Sequence, residues 1–113
     1  MAMNEAVVAH LHPGTGGHPH TEVVRVLDAL ADTTRLTIVH LLAEGGQRVI
    51  DLTAALGLAQ STVSAHLAVL RDAGLVTATP EGRATRYGLA DTELDEVLAA
   101  TERLVARRRA DGA

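Results

Sequence analysis

The stretch from Val49 to Val76 constrains the fold most, because it holds two apolar helical patterns separated by a short turn. The first pattern ends at Gly57, since glycine takes a left-handed helix cap without steric cost. The second begins near Gln60 and is closed by Gly74. Two short helices around a short turn predict a helix-turn-helix, whose second helix is shaped to enter a DNA major groove. A plain helical corner is the alternative. The apolar side chains of the first helix are Val49, Ile50, Leu52, Ala55 and Leu56.

Length and composition favour one globular domain of 113 residues, 47% of them hydrophobic. The only aromatic residue is Tyr87, so leucine, valine, isoleucine and alanine must build the core. The chain has no cysteine, which excludes disulfides and thiolate metal sites. It has no run of about 18 apolar residues and no recognisable secretory signal. We therefore expect a cytoplasmic protein with no membrane partner.

The charge is distributed unevenly along the chain. The formal net charge is −4, yet the segment 46–90 carries four arginines against three acidic residues. The chain has ten arginines and no lysine, and arginine suits bidentate contacts with phosphate or guanine. Nucleotide bias in the genome would explain the absence of lysine as well as a role in DNA binding does.

Further helical patterns precede the central stretch. Residues 1–11 have helical propensity, whereas residues 12–20, which read HPGTGGHPH, predict irregular structure. Thr21 resembles the N-cap of the next helix. Asp32 is predicted to cap a further helix over residues 33–43.

A strand-like pattern follows the two central helices. Residues 75–79 and 85–89 predict two strands, and residues 80–84 between them contain the proline and glycine expected of a hairpin loop. A hairpin directly after a helix-turn-helix is a wing. Arg83 at its tip and Arg86 on its second strand are placed to reach phosphates or a minor groove. A purely structural hairpin is the alternative.

The last predicted helix begins near Asp91 or Thr92, with acidic residues in its first turn and arginines near its end, as the helix dipole favours. Its apolar residues form a narrow seam, typical of a helix that pairs with another helix. We therefore expect a dimer interface here, shared with the N-terminal helix. The seam consists of Leu94, Val97, Leu98, Thr101, Leu104 and Val105.

Four segments resemble motifs of one family. Residues 29–42, ALADTTRLTIVHLL, resemble ALADPTRLRILxLL, and residues 60–67, QSTVSAHL, resemble QSxVSxHL. Residues 70–76, LRDAGLV, resemble LRxAGLV, and residues 82–89, GRATRYGL, resemble GRxxxYxL. Over roughly residues 22–98 the chain thus resembles the ArsR/SmtB family of winged-helix regulators. The resemblance implies a homodimer that binds a palindromic operator and usually represses until an effector arrives.

Pattern and resemblance together predict a mainly α fold with a small β-hairpin wing, dimerising through N- and C-terminal helices. Residues 1–20 are expected to form an N-terminal helix and histidine-rich arm, and residues 21–113 the winged helix-turn-helix domain with its dimerisation helix. No nucleophile–base pair or phosphate-binding glycine loop is visible in the sequence. We therefore expect a transcriptional regulator and not an enzyme.

Double-stranded DNA is the expected partner, and the N-terminal half of the second helix supplies most of the candidate contacts. Glutamine can contact adenine bidentately, while serine and threonine serve bases or phosphates. The alternative to a DNA contact is an ion pair within the subunit for Arg71. For His66 the alternative is an imidazole packed within the subunit. A two-fold dimer places two such helices roughly 34 Å apart, so the operator should be an inverted repeat. The predicted DNA-binding residues are Gln60, Ser61, Thr62, Ser64, His66, Arg71, Arg83 and Arg86.

The effector is less constrained. Family members that sense metals through thiolates carry cysteines where this chain has residues 49–52, VIDL. Other members have a metal site on the last helix, and two of its ligands are replaced here by Leu104 and Arg107. Imidazoles concentrated near the N-terminus suit Ni²⁺ or Zn²⁺. The alternatives are a polar tail that binds metal only adventitiously, a small-molecule effector, a partner protein, or no effector. The candidate metal ligands are His10, His12, His18, His20, Asp91 and Glu93.

Overall fold

The computed structural model describes residues 19–112, so the helix expected over residues 1–11 and the candidate ligands His10, His12 and His18 lie outside the described residues. Within residues 19–112 the fold is mainly helical, with one small antiparallel sheet. The predicted winged helix-turn-helix fold is confirmed. The elements are α1 (Pro19–Leu30), α2 (Thr33–Ala43), β1 (Gln47–Arg48), α3 (Val49–Leu56), α4 (Gln60–Asp72), β2 (Val76–Glu81), β3 (Ala84–Leu89) and α5 (Glu93–Gly112).

Helix α1 begins earlier than the sequence suggested. Pro19 and His20 belong to its first turn, so the prediction that Thr21 caps this helix was wrong. Proline is tolerated in a first turn because its fixed φ is already helical and its missing N–H needs no partner there. The cap of α2 was predicted correctly, because Asp32 accepts a hydrogen bond from the Arg35 backbone N–H at 2.9 Å.

The sheet extends the predicted hairpin in two ways. Strand β1, which the sequence did not reveal, pairs with β3, so the strand order is β1-β3-β2. Strand β2 continues through Pro80 to Glu81, and the loop shrinks to Gly82 and Arg83. Proline fits here because β2 is an edge strand, where no neighbour requires its missing N–H. Gly82 has a φ of +63°, and glycine is the usual residue at the first position of such two-residue turns.

The core lies between α2, α3 and α4 and is covered by α1, the sheet and the first turns of α5. The core contains only some of the residues in two apolar stripes that the sequence predicted. In α3, Leu52 is fully buried whereas Ile50 is 72% exposed. In α5, Leu94 and Leu98 pack into the core, so only the remaining seam residues are available to a partner. The buried apolar residues are Ala29, Leu30, Ile38, Val39, Leu42, Leu52, Val63, Leu67, Leu70, Val76, Leu94 and Leu98.

Helix length and hydropathy bear on membrane insertion. No single helix among residues 19–112 is long and apolar enough to cross a membrane. Helices α3 and α4 reach that length and composition only when taken together, and they are bent by 113° at the break between them.

Candidate nucleic-acid interface

Helices α3 and α4 meet in the geometry of a helix-turn-helix. Gly57 ends α3 in the left-handed conformation with a φ of 68°, and α4 begins at Gln60. The chain turns by 113° between the two helices, within the usual range for this motif. On α4 the inward face is held by Val63, Leu67 and Leu70, which are buried. The side chains on the opposite face of its N-terminal half are therefore exposed, namely Gln60, Ser61, Thr62 and Ser64.

The end of α4 fixes where the wing begins. The Leu75 N–H donates to the Leu70 carbonyl at 2.9 Å, and the Gly74 N–H donates to the Arg71 carbonyl at 2.9 Å. These two bonds form a Schellman cap, which requires a left-handed residue, and Gly74 has a φ of +78°. Since β2 starts directly after this cap, at Val76, the cap leads the chain straight from α4 into the wing.

An open cleft of about 420 Å³ lies between α3, the start of α4 and the hairpin. We call it the wing cleft. It brings together Gln60 and Arg83, two predicted DNA-binding residues that are far apart in sequence. The residues that line it are Arg48, Val49, Ile50, Gln60, Arg83, Ala84, Thr85 and Tyr87.

Two of the predicted arginines are available to an external partner. Arg83 and Arg71 are both exposed, and neither side chain makes a hydrogen bond or ion pair with any group of residues 19–112. The alternative considered for Arg71, an ion pair within the subunit, is therefore not realised in this part of the chain.

Arg86 is held by groups of its own chain. Its Nε donates to Glu81 Oε2 at 2.9 Å, and its Nη1 donates to the Gly46 carbonyl. Gly46 permits this approach, because a Cβ at that position would lie 3.2 Å from the Arg86 side chain and from the Tyr87 carbonyl. The guanidinium of Arg86 thus ties β3 to the chain before β1.

Arg48 also pairs with Glu81. It was not among the DNA-binding residues predicted from the sequence. The Arg48 Nε donates to Glu81 Oε1 at 2.7 Å. A hydrogen bond from Arg48, the larger effect, and one from Arg86 hold the pKa of the Glu81 carboxyl below its usual value. No local pattern could reveal this arrangement, because it depends on β1 lying beside β3 in the sheet.

His66 lies half-buried against the start of α2. Its Nδ1 is 3.3 Å from Arg35 Nη1 and 3.9 Å from Asp32 Oδ2. A guanidinium can only donate, so Nδ1 accepts in the shorter contact. Arg35 also donates from Nε to the Ala29 carbonyl at 2.6 Å, at the end of α1. This environment favours the packed alternative for His66, and it gives Arg35 a structural role that the sequence reasoning missed.

The candidate metal ligands within the described residues do not form a site by themselves. Asp91 Oδ1 accepts a hydrogen bond from the Glu93 N–H at 3.0 Å, and both side chains are exposed at the start of α5. Among residues 19–112, no three side chains of histidine, cysteine, aspartate or glutamate are grouped so that they could hold a metal ion.

A second interaction missed at the sequence level joins α5 to α2. His40 Nε2 lies 2.9 Å from Glu102 Oε1, and His40 Nδ1 lies 3.0 Å from the Leu36 carbonyl. The imidazole of His40 therefore joins Glu102 on α5 to the backbone of α2.

The sequence is similar to those of known bacterial regulators. The family profile described as "Bacterial regulatory protein, arsR family" matches residues 32–78. The HTH-type transcriptional regulator CmtR of Mycobacterium tuberculosis is 49% identical over 76 residues, which cover 67% of this chain and 64% of CmtR. The match therefore spans just under two thirds of that relative. The arsenical resistance operon repressor of Bacillus subtilis is 36% identical over 85 residues, covering 74% of this chain and 81% of the repressor.

Solved structures agree with this relationship. The homodimeric winged helix-turn-helix domain of Mb0332 from Mycobacterium bovis superposes with a TM-score of 0.72 at 32% identity, covering 88% of this chain and 95% of that domain. The NMR structure of the cadmium metal-sensor CmtR from Mycobacterium tuberculosis gives a TM-score of 0.59 at 48% identity, covering 68% of this chain and 80% of that structure.

Proposed function

Because the chain belongs to the ArsR family of bacterial transcriptional regulators, we propose that it binds an inverted-repeat operator as a homodimer and responds to Ni²⁺ or Zn²⁺. Its relatives and its fold are those of regulators and not of enzymes. A family regulator that responds to a non-metal effector, to a partner protein or to no ligand is the second candidate.

The observation that carries the DNA-binding proposal is the wing cleft. Gln60, at the start of α4, and Arg83, at the tip of the hairpin, line the same open cleft. A helix lying in a major groove would present Gln60 to base edges. In the same pose Arg83 would reach the adjacent sugar–phosphate backbone, which carries most of the affinity but little sequence information.

The homodimer proposal is supported by an apolar surface shared by α1 and α5, which we call the dimer patch. On it, Val23, Leu27 and Val97 line one shallow apolar depression although each is about half exposed. Contiguous apolar surface of this kind usually marks an interaction site. Homodimeric Mb0332 provides a precedent among structural relatives. The exposed large residues of the dimer patch are Val23, Val24, Leu27, Val97, Leu104 and Val105.

Exchanging Gln60 or Arg83 for alanine should have different consequences for DNA binding. For Arg83→Ala we expect weaker binding to all duplexes alike, and a salt dependence whose logarithmic slope falls by about one. For Gln60→Ala we expect altered preference at one base pair of each half-site, worth about 1–3 kcal/mol. Both effects are measured by fluorescence anisotropy titrations at several salt concentrations, with duplexes selected from a random pool by the wild-type protein.

A matched control removes an arginine elsewhere. Arg103 is exposed on α5 and does not line the wing cleft, so Arg103→Ala subtracts the same charge without the proposed contact. Wild-type affinity and salt slope in both Gln60→Ala and Arg83→Ala would contradict the proposed interface.

The metal proposal rests on the donors that the chain offers. It contains no cysteine, so imidazole and carboxylate groups are the available ligands, and imidazole suits Ni²⁺ and Zn²⁺. Metal-related relatives, a cadmium sensor and an arsenical resistance repressor, support a metal effector in general. The site would consist of imidazoles from the arm together with two exposed carboxylates. The proposed ligands are His10, His12, His18, His20, Asp91 and Glu93.

Replacing the four arm histidines with glutamine should abolish high-affinity Ni²⁺ and Zn²⁺ binding in isothermal calorimetry. His40→Gln, which removes a histidine outside the arm, serves as the matched control and should bind as the wild type does. Because protons compete for imidazole nitrogen, wild-type affinity should fall as the pH drops through about 6.5. Equal binding by the wild type and the four-histidine variant would refute the arm as the site and favour the second candidate.

A further inference from the structure

We propose that Arg48 binds a DNA backbone phosphate in the wing cleft, and that Glu81 holds its guanidinium ready until the phosphate takes the place of the carboxylate. The inference rests on the proposed DNA-binding function and adds a residue to that interface. It also separates the roles of two arginines, Arg48 and Arg86, that share the same carboxylate.

Arg48 lies beside the proposed DNA-binding residues. Arg48 is the last residue of β1, directly before α3, and its side chain is 46% exposed. It lines the wing cleft together with Gln60 and Arg83. Two guanidinium groups and one amide therefore line a cleft of about 420 Å³. Arg86 does not line this cleft.

The guanidinium of Arg48 is already bonded to a carboxylate, that of Glu81. Arg48 presents Nε and Nη2 to the same carboxylate oxygen, at 2.7 Å and 2.5 Å. The guanidinium fork fits carboxylate and phosphate in similar geometry, so a phosphate can take over these donors with little rearrangement. Both side chains are partly exposed, and the exchange therefore carries only a small desolvation cost.

Glu81 keeps a partner after the exchange. Its Oε2 still accepts from Arg86 Nε at 2.9 Å, so no unpaired carboxylate is left facing DNA. Arg86 also stays bound to the Gly46 carbonyl. It therefore acts as a positioning residue that keeps the wing against β1, whereas Arg48 is free to leave.

Anisotropy titrations with fluorescein-labelled duplexes test the assignment, using one duplex selected by the wild type and one scrambled duplex at several KCl concentrations. For Arg48→Gln we expect affinity to fall roughly fivefold to tenfold on both duplexes, and the salt slope to decrease by about 0.9, the share of one phosphate contact. Arg48→Lys keeps the charge and should retain the wild-type slope. For Arg86→Gln we expect weaker binding with the wild-type slope.

Glu81→Gln gives the sharpest contrast. The amide oxygen can still accept a hydrogen bond from Arg86, but the charge that holds Arg48 is gone, so binding should be at least as tight as in the wild type. If Glu81→Gln and Arg48→Gln weaken binding equally with an unchanged salt slope, the ion pair is structural and the proposal is overturned. Wild-type binding by Arg48→Gln also overturns it. Failure of the wild type itself to bind either duplex would instead refute the proposed function on which the inference rests.

Discussion

Replacing Val97 with glutamate is expected to convert the protein to monomers and to weaken operator binding by about 10²–10⁴-fold. Val97 is 45% exposed within the subunit and lines the apolar depression with Val23 and Leu27, so a carboxylate there would be buried against apolar groups of the partner. A monomer engages only one half-site and loses the gain that comes from linking two binding events. Sedimentation equilibrium and anisotropy on the selected duplex measure the two effects.

The matched control is Ala110→Glu. Ala110 is exposed on the same helix, α5, about 140° around its axis from Val97, so it adds the same charge away from the dimer patch. We expect this variant to stay dimeric and to bind DNA as the wild type does. Because Val97 is not part of the core, Val97→Glu should retain the helical circular dichroism of the wild type. A dimeric Val97→Glu protein would contradict the proposed interface.

Truncating Leu52 to alanine should lower the free energy of unfolding by about 2–5 kcal/mol, a large part of the stability of a small domain. Leu52 is 0% exposed at the centre of the core, where α3 packs on α4. The deletion would leave a cavity that surrounding side chains fill only partly. Urea unfolding followed by circular dichroism, at one fixed protein concentration, measures the change.

Ile50→Ala is a close control, because it removes a similar volume from the same helix. Ile50 is 72% exposed, so its truncation should change the free energy of unfolding by less than about 0.5 kcal/mol. Equal destabilisation by the two variants would mean that both residues belong to the core, as the apolar stripe of α3 alone suggests.

Residues that act through local geometry were predictable. Asp32 was recognised as a helix cap because a short carboxylate before a helix accepts a backbone N–H, and Arg35 provides it. Gly57 was recognised as a helix stop because it takes a positive φ cheaply, and it does so. Pro80 was misplaced in a loop because its tolerance in a strand depends on β2 being an edge, which only the assembled sheet decides.

The candidate interface divides in the same way. Gln60 and Arg83 could be predicted because each occupies a recognisable place, a helix start and a hairpin tip. The Arg48–Glu81–Arg86 arrangement could not, since it joins residues 33 and 5 positions apart across three strands. Nor could the partners of His66, because Arg35 lies 31 positions away on another helix.

By itself, the sequence determined the order of helices and strands from Val49 onward, the glycines that end them and the family to which the chain belongs. These depend on residue spacing and on backbone conformation, which act over a few positions. Only the tertiary structure decided that Leu52 is buried while Ile50 is exposed, and that Arg86 is held while Arg83 is available. Periodicity defines a helical face, but the neighbours that cover it come from distant parts of the chain.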